Sequence, residues 1–164
     1  MSVNKEQHHL MILPEDHANR QLAVGFRLEI DPDKQRQIRV LEEADGWIKV
    51  FKTFESEHVT LMDKCRNRFM VLLIDFDGDP NRRENAIRKY IPERLIDRVF
   101  VLGSPIEVED LNRDLKMKPE TIGSIIAKDC RDNTKTILQQ HKDLRDNNEL
   151  ELDRLREKVR MILF

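Results

Sequence analysis

The chain has 164 residues, which fits one domain with room for a helical appendage. Charged residues make up 37% of it, but 29 basic residues stand against 31 acidic ones, so bulk attraction to nucleic acid is excluded and any such contact needs a local patch. Cys65 and Cys130 are in no metal-ligand spacing, Met1 to Gln7 is polar, and no apolar run approaches the ~18 residues of a membrane span. These features lead us to expect a cytoplasmic protein with reduced thiols and no membrane partner.

In chain order, His8 to Leu13 reads as a first strand closed by Pro14, with a turn at Pro14-Glu15-Asp16. Asp16 is placed to cap a helix over His17 to Leu28, whose Ala18, Leu22 and Phe26 share one face. Asp31-Pro32-Asp33 is a turn, and Gln37 to Leu41 a short second strand. Gly46 to Lys64 carries Trp47, Val50, Phe51 and Phe54 at helical period and predicts a helix with a break near Glu57. Phe69 to Ile74 is continuously apolar and flanked by charge, the pattern of a strand covered on both faces. Asn81 to Tyr90 is an amphipathic helix, and Val99 to Leu102 a second buried strand ended by Gly103-Ser104-Pro105. From Glu107 onward everything reads as helix, with starts at Pro119 and, for the last one, at Glu149.

Strands alternating with helices predict an α/β fold with a mostly parallel sheet flanked by helices. We divide it into a core over residues 1–116 and a C-terminal helical extension over 117–164. Functional groups in such sheets gather at the carboxyl ends of the strands. Three strand ends carry carboxylates: Glu15 and Asp16, then Asp75, Asp77 and Asp79, then Glu107 and Glu109 after Ser104.

Two aspartates one residue apart at the end of a buried strand offer hard oxygen ligands on one loop, which suits Mg²⁺ or Mn²⁺. The competing reading makes Asp77-Gly78-Asp79-Pro80 an ordinary turn with Asp79 as a helix cap. Asp75 resists that reading, because a charge directly after six apolar residues needs compensation. Glu15 alone reads equally as a solvated turn residue, and Glu107 and Glu109 as the acidic first turn of a helix. Arg82, Arg83, Arg88 and Lys89 follow the acidic loop and are candidates for nucleic-acid phosphates, against a solvated face paired with Glu84. The five histidines have no zinc spacing and read as solvated, and the cysteines as packing residues. No phosphate-binding loop of the Gly-x-x-x-x-Gly-Lys type is present, so ATP hydrolysis by that device is excluded.

A Glu after the first strand, followed much later by an apolar strand ending in Asp-x-Asp, resembles the motif pair of the Toprim domain. The segments are Leu10-Met11-Ile12-Leu13-Pro14-Glu15-Asp16 and Val71-Leu72-Leu73-Ile74-Asp75-Phe76-Asp77. The resemblance covers residues 8–112 and points to small Toprim nucleases of the overcoming-lysogenization-defect type. It implies that Asp75 and Asp77 hold Mg²⁺ and that Glu15 is a metal ligand or general acid/base. It further implies that Glu107 or Glu109 assists, that DNA is the substrate, and that the catalytic residues are Glu15, Asp75 and Asp77. By the same analogy the chain is a nuclease subunit in antiviral defence, working as a homo-oligomer or with a partner ATPase or helicase. Pro-Glu-Asp departs from the Glu-Gly of many members, and the residues after Leu115 match nothing in the family. Two other readings stand beside it: a non-catalytic Toprim-like scaffold, and a haloacid-dehalogenase-type phosphatase with Asp75 in the nucleophile motif and Ser104 imitating the second one. The latter family's acidic third motif needs a later strand, and this chain continues as helix. The apolar terminus Met161-Ile162-Leu163-Phe164 leads us to expect that the extension makes a subunit contact.

Overall fold

The computed structural model describes residues 2–164. Four strands form one all-parallel sheet in the order β2-β1-β3-β4. They are β1 (His9–Pro14), β2 (Ile38–Val40), β3 (Arg68–Asp75) and β4 (Val99–Ser104). Every residue of β1, β3 and β4 is buried, as the unbroken apolar runs require of a sheet covered on both faces. Side chains alternate between two cores. Met70, Leu72 and Ile74 pack under α2 (Trp47–Thr53), α3 (Val59–Lys64) and α4 (Arg82–Tyr90). Phe69, Val71 and Leu73 pack under α1 (His17–Leu28), α6 (Pro119–Asp132) and α8 (Lys142–Leu163). The short helices α5 (Val108–Leu115) and α7 (Thr136–Gln140) close a third cluster around Leu111, Ile122 and Ile137. The expected α/β architecture, a parallel sheet flanked by helices with a C-terminal helical extension, is present.

Three differences from the sequence reading have physical causes. β3 runs on to Asp75 and β4 to Ser104, because their backbones stay in register beyond the apolar side chains, with Asp75 opposite Ser104. Gly103 makes this possible: a Cβ there would lie 1.6 Å from the carbonyl oxygen of Ile74. The predicted helix over 46–64 is not broken near Glu57 but widened, by a π turn over Phe54–His58 between α2 and α3. The last helix starts at Lys142, seven residues before Glu149, where His141 Nδ1 accepts the Leu144 N–H at 3.2 Å.

The extension is fused to the core. Gly25 of α1 and Gly123 of α6 bring those two helices together so closely that a Cβ on Gly123 would stand 1.9 Å from the Leu22 carbonyl oxygen. α8 lies along β4 and pairs the outer edge of that strand with side chains. Asn148 Oδ1 accepts the Gly103 N–H at 3.0 Å, and its Nδ2 donates to the Gly103 carbonyl at 2.7 Å. Glu151 accepts the Val101 N–H at 2.9 Å, and Arg154 donates to the Val99 carbonyl at 2.6 Å. Arg83 of α4 donates to the Val101 carbonyl at 2.8 Å. An edge strand that would otherwise offer its backbone to a second chain is thus closed. Leu155, Val159 and Leu163 are buried on the domain's own sheet, each contributing about 1.5–3 kcal/mol of apolar burial. Of the apolar terminus, Leu163 is buried and Ile162 and Phe164 are partly buried on the domain's own core, while Met161 is 80% exposed. Among the described residues, no helix is long and apolar enough to cross a membrane.

Candidate metal centre

β1 leads to β2 on one side and β3 leads to β4 on the other, so the strand order reverses between β1 and β3, the place where ligands gather at the carboxyl ends of such sheets. Glu15 and Asp75 meet at these two strand ends. Glu15 Oε2 accepts the backbone N–H of Asp75 at 2.7 Å, and the Glu15 N–H donates to the Leu73 carbonyl at 2.8 Å. Sixty residues apart in sequence, the two carboxylate-bearing segments are thus tied directly together.

Asp75 is buried at 4% exposure. Burial is the main reason its carboxyl is pushed up to about 8; the charges of Glu15, Asp16 and Asp77 push the same way, and the Asn19 amide opposes them. Asn19 Nδ2 donates to Asp75 Oδ1 at 3.2 Å and to Asp16 Oδ1 at 3.0 Å. Asp16 itself caps α1, as expected, by accepting the Asn19 N–H at 2.9 Å. Glu15 is also raised, first by burial, then by Asp16 and Asp77, with the Asp75 N–H and Arg82 pulling it down.

Asp77 is exposed and takes a left-handed backbone, φ 47°, followed by Gly78 at φ 72°. Aspartate tolerates that region because its short polar side chain can bond locally. The loop is held by β4's continuation: Phe76 N–H donates to the Ser104 carbonyl and Gly78 N–H to the Pro105 carbonyl, at 2.8 and 2.9 Å. Arg82 binds the loop from the other side. Its Nη1 donates to Asp77 Oδ2 and to the Asp75 carbonyl, both at 2.7 Å, while its guanidinium lies 4.4 Å from the centre of the Trp47 ring.

The remaining candidates fall outside this group. Asp79 accepts the Asn81 N–H at 2.9 Å, so it organises the turn into α4 as the competing reading expected. Glu107 and Glu109 are exposed at the start of α5, with no hydrogen bond or ion pair to Glu15 or Asp75. Arg83 corrects the sequence reading. It does not face outward for phosphates; it is turned onto the Val101 carbonyl, stacks 4.7 Å over the Phe76 ring, and burial lowers its pKa. Arg88 and Lys89 are exposed. The histidines are corrected too: His9 and His58 are buried at 0% and 8% exposure, not solvated. Sequence reasoning missed Asn19, which is fully buried between the two carboxylates. Its only sequence signal is a polar residue beside Ala18 on the inner face of α1.

The chemistry of this donor set fits a divalent cation. Three carboxylates influence one another, hard oxygen donors come from two strand ends, and the buried Asn19 Oδ1 has no hydrogen-bond partner. A cation would offset the burial, and the neighbouring negative charges, that raise the Asp75 carboxyl. Asp77 is paired with Arg82, so an ion held by Asp77 would compete with that guanidinium. No protein-family model matches the chain, and no curated protein matches it.

Proposed function

We propose that the chain is a Toprim-type, Mg²⁺- or Mn²⁺-dependent nuclease acting on DNA, with Glu15, Asp75 and Asp77 as its catalytic carboxylates. The observation that carries this reading is the bond from the Asp75 N–H to Glu15 Oε2, 2.7 Å, at the carboxyl ends of β1 and β3, where the strand order reverses. It joins the two motif segments whose pairing the resemblance requires. Asp75 and Asp77 would hold the ion, as would Glu15 if it turns from the Asp75 N–H. A bound Mg²⁺ or Mn²⁺ supplies Lewis-acid polarisation of a phosphodiester oxygen and a water of lowered pKa. Glu15 keeps Oε1 without a hydrogen bond to the protein, and its raised pKa suits a group that accepts and returns a proton there. Asn19 and Asp16 orient the Asp75 carboxyl, and Arg82 sets the position of Asp77. Arg88 and Lys89 are the exposed cations left to contact the DNA backbone. Assembly as a homo-oligomer, a partner ATPase or helicase, a defence role and a cytoplasmic setting belong to the same reading by analogy.

A second reading has its own support. Arg82 neutralises Asp77 at 2.7 Å, as it would in a binding module that keeps the fold without the chemistry. The phosphatase reading gains the register of Ser104 beside Asp75. It lacks, among the described residues, any strand after β4 to carry a third acidic motif. The deciding experiment incubates supercoiled plasmid with the protein and Mg²⁺ or Mn²⁺, or with EDTA. Nicking or linearisation with metal only, lost in Asp75→Ala, is expected. An intact plasmid under all conditions would favour the binding module.

A further inference from the structure

The amino-terminal end of the sheet holds a second buried charge that the carboxylate site does not use. Arg68 begins β3, is 5% exposed, and has no Asp or Glu within ion-pairing distance among the described residues. A buried guanidinium without a counter-charge is costly. Its one hydrogen bond from the side chain is from Nε to His9 Nε2, at 3.2 Å. His9 lies 2.8 Å from the Gln7 carbonyl through Nδ1, so Nδ1 carries the proton and Nε2 is a neutral acceptor. The terminal nitrogens of Arg68, the fork that binds oxyanions in bidentate fashion, have no acceptor among the described residues and reach solvent.

Two further observations point at a ligand. The buried Nδ1 of His58 has no hydrogen-bond partner among the described residues, although His58 is more than nine-tenths buried. It is carried by the π turn, a widened geometry that proteins use most often at functional positions. His58 and Arg68 are near enough for the guanidinium charge to act on the imidazole. His9, Arg68 and His58 belong to the same side of the sheet, beneath α2 and α3. Of the other charges that act on this pair, the Cys65 thiol favours the Arg68 cation, while Arg39 acts against Arg68 and His8 and Lys5 against protonation of His9. Glu57, exposed on the same turn, acts on His58 alone.

We propose that Arg68, His9 and His58 form a binding site for a phosphate-class oxyanion, at the opposite end of the sheet from Glu15 and Asp75. The Arg68 fork takes two oxygens of the anion, and His58 Nδ1–H donates to a third. His9 holds the guanidinium in place and does not touch the ligand. Arg39 and Lys5 supply the positive field that draws the anion in. The chemistry is that of a free phosphate or of a terminal phosphate monoester on a larger molecule.

The test is a titration of the full chain with inorganic phosphate, following the His9 and His58 ring resonances by NMR, with chloride at matched ionic strength as control. Saturable shifts of the His58 ring with phosphate and not with chloride are expected, together with a rise in Tm. A parallel arm compares an oligonucleotide with and without a 5′-phosphate. Shifts specific to the phosphorylated one assign the site to a terminal monoester, and shifts with phosphate alone assign it to the free ion. Arg68→Gln removes the response. Should that variant unfold, Arg68→Lys keeps the charge without the fork and is expected to weaken the response at least tenfold. No phosphate-specific shift of the His58 ring in the wild-type protein would overturn the proposal, whatever the variants do. Because this readout involves no cleavage, it is independent of the nuclease reading.

Discussion

β3 begins with a buried guanidinium and ends with a buried carboxyl. At its start the Arg68 side chain hydrogen-bonds a neutral histidine; at its end Asp75 has Glu15, Asp16 and Asp77 pressing on it. Both ends keep an ionisable group in a place where folding alone would favour an apolar residue. The middle of the strand, Phe69 to Ile74, is what pays for them. The difference lies in how each end copes. A carboxyl can take up a proton and become neutral, whereas a guanidinium cannot. The acidic end therefore has a protonation state to lose when a cation arrives, whereas the basic end keeps its charge and offers its fork to an anion.

The largest expected effect is on chemistry at the acidic end. Asp75→Ala or Asp77→Ala is predicted to lower metal-dependent plasmid cleavage by at least about a hundredfold, since each removes a ligand rather than an outer partner. Circular dichroism should show the fold retained. Cleavage at the wild-type rate in both variants would break the assignment.

Next is stability against pH. Asp75 has a folded pKa raised to about 8 from an ordinary carboxylate value, so its contribution is fully present below about pH 4 and is lost as pH rises through about 8. Metal-free protein should thus lose on the order of 5 kcal/mol from this group between pH 4 and pH 8. Asp75→Asn should be more stable than wild type at pH 8 and similar at pH 4. Urea denaturation at the two values, without metal, measures this; an unchanged difference between the variants would contradict the electrostatic account.

The edge of the sheet offers a control that touches neither end. Asn148→Ala leaves the Gly103 N–H and C=O without their partners and is predicted to cost about 2–4 kcal/mol. Its urea midpoint should fall at every pH, with the pH difference of the wild type preserved. A cost below about 0.5 kcal/mol would mean that water replaces Asn148 and that the α8 cover is dispensable.

The smallest effect is optical. Trp47 is the sole tryptophan, and the Arg82 guanidinium stacked on it is tied to Asp77. Mn²⁺ or Mg²⁺ that claims Asp77 should release Arg82 and change Trp47 fluorescence by tens of per cent, with no change in Asp77→Asn. A metal-independent signal would mean that Arg82 stays where it is.

The contrast between the ends also shows what a single sequence discloses. β3 and its acidic close were legible because six apolar residues in a row followed by a charge have few structural meanings. Glu15 was legible only through its position after β1. Arg83 was misread, since a basic residue at a helix start looks the same whether it reaches for solvent or for the Val101 carbonyl. Asn148, Glu151 and Arg154 carry no signal in the sequence; they pair with a strand some fifty residues earlier, a relation that no local period encodes. His9 and His58 looked solvated for the same reason. Their burial depends on a register between β1 and β3 and on a π turn, neither of which has a sequence signature.

The claim that the carboxyl ends of β1 and β3 form a divalent-cation site is tested most directly by Mn²⁺ binding to the metal-free protein at pH 8, measured by isothermal titration calorimetry. Wild type is predicted to bind one ion per chain at this site, with proton release from Asp75, and Asp75→Asn to lose that binding. Equal binding by wild type and Asp75→Asn, or no binding by either, would contradict it.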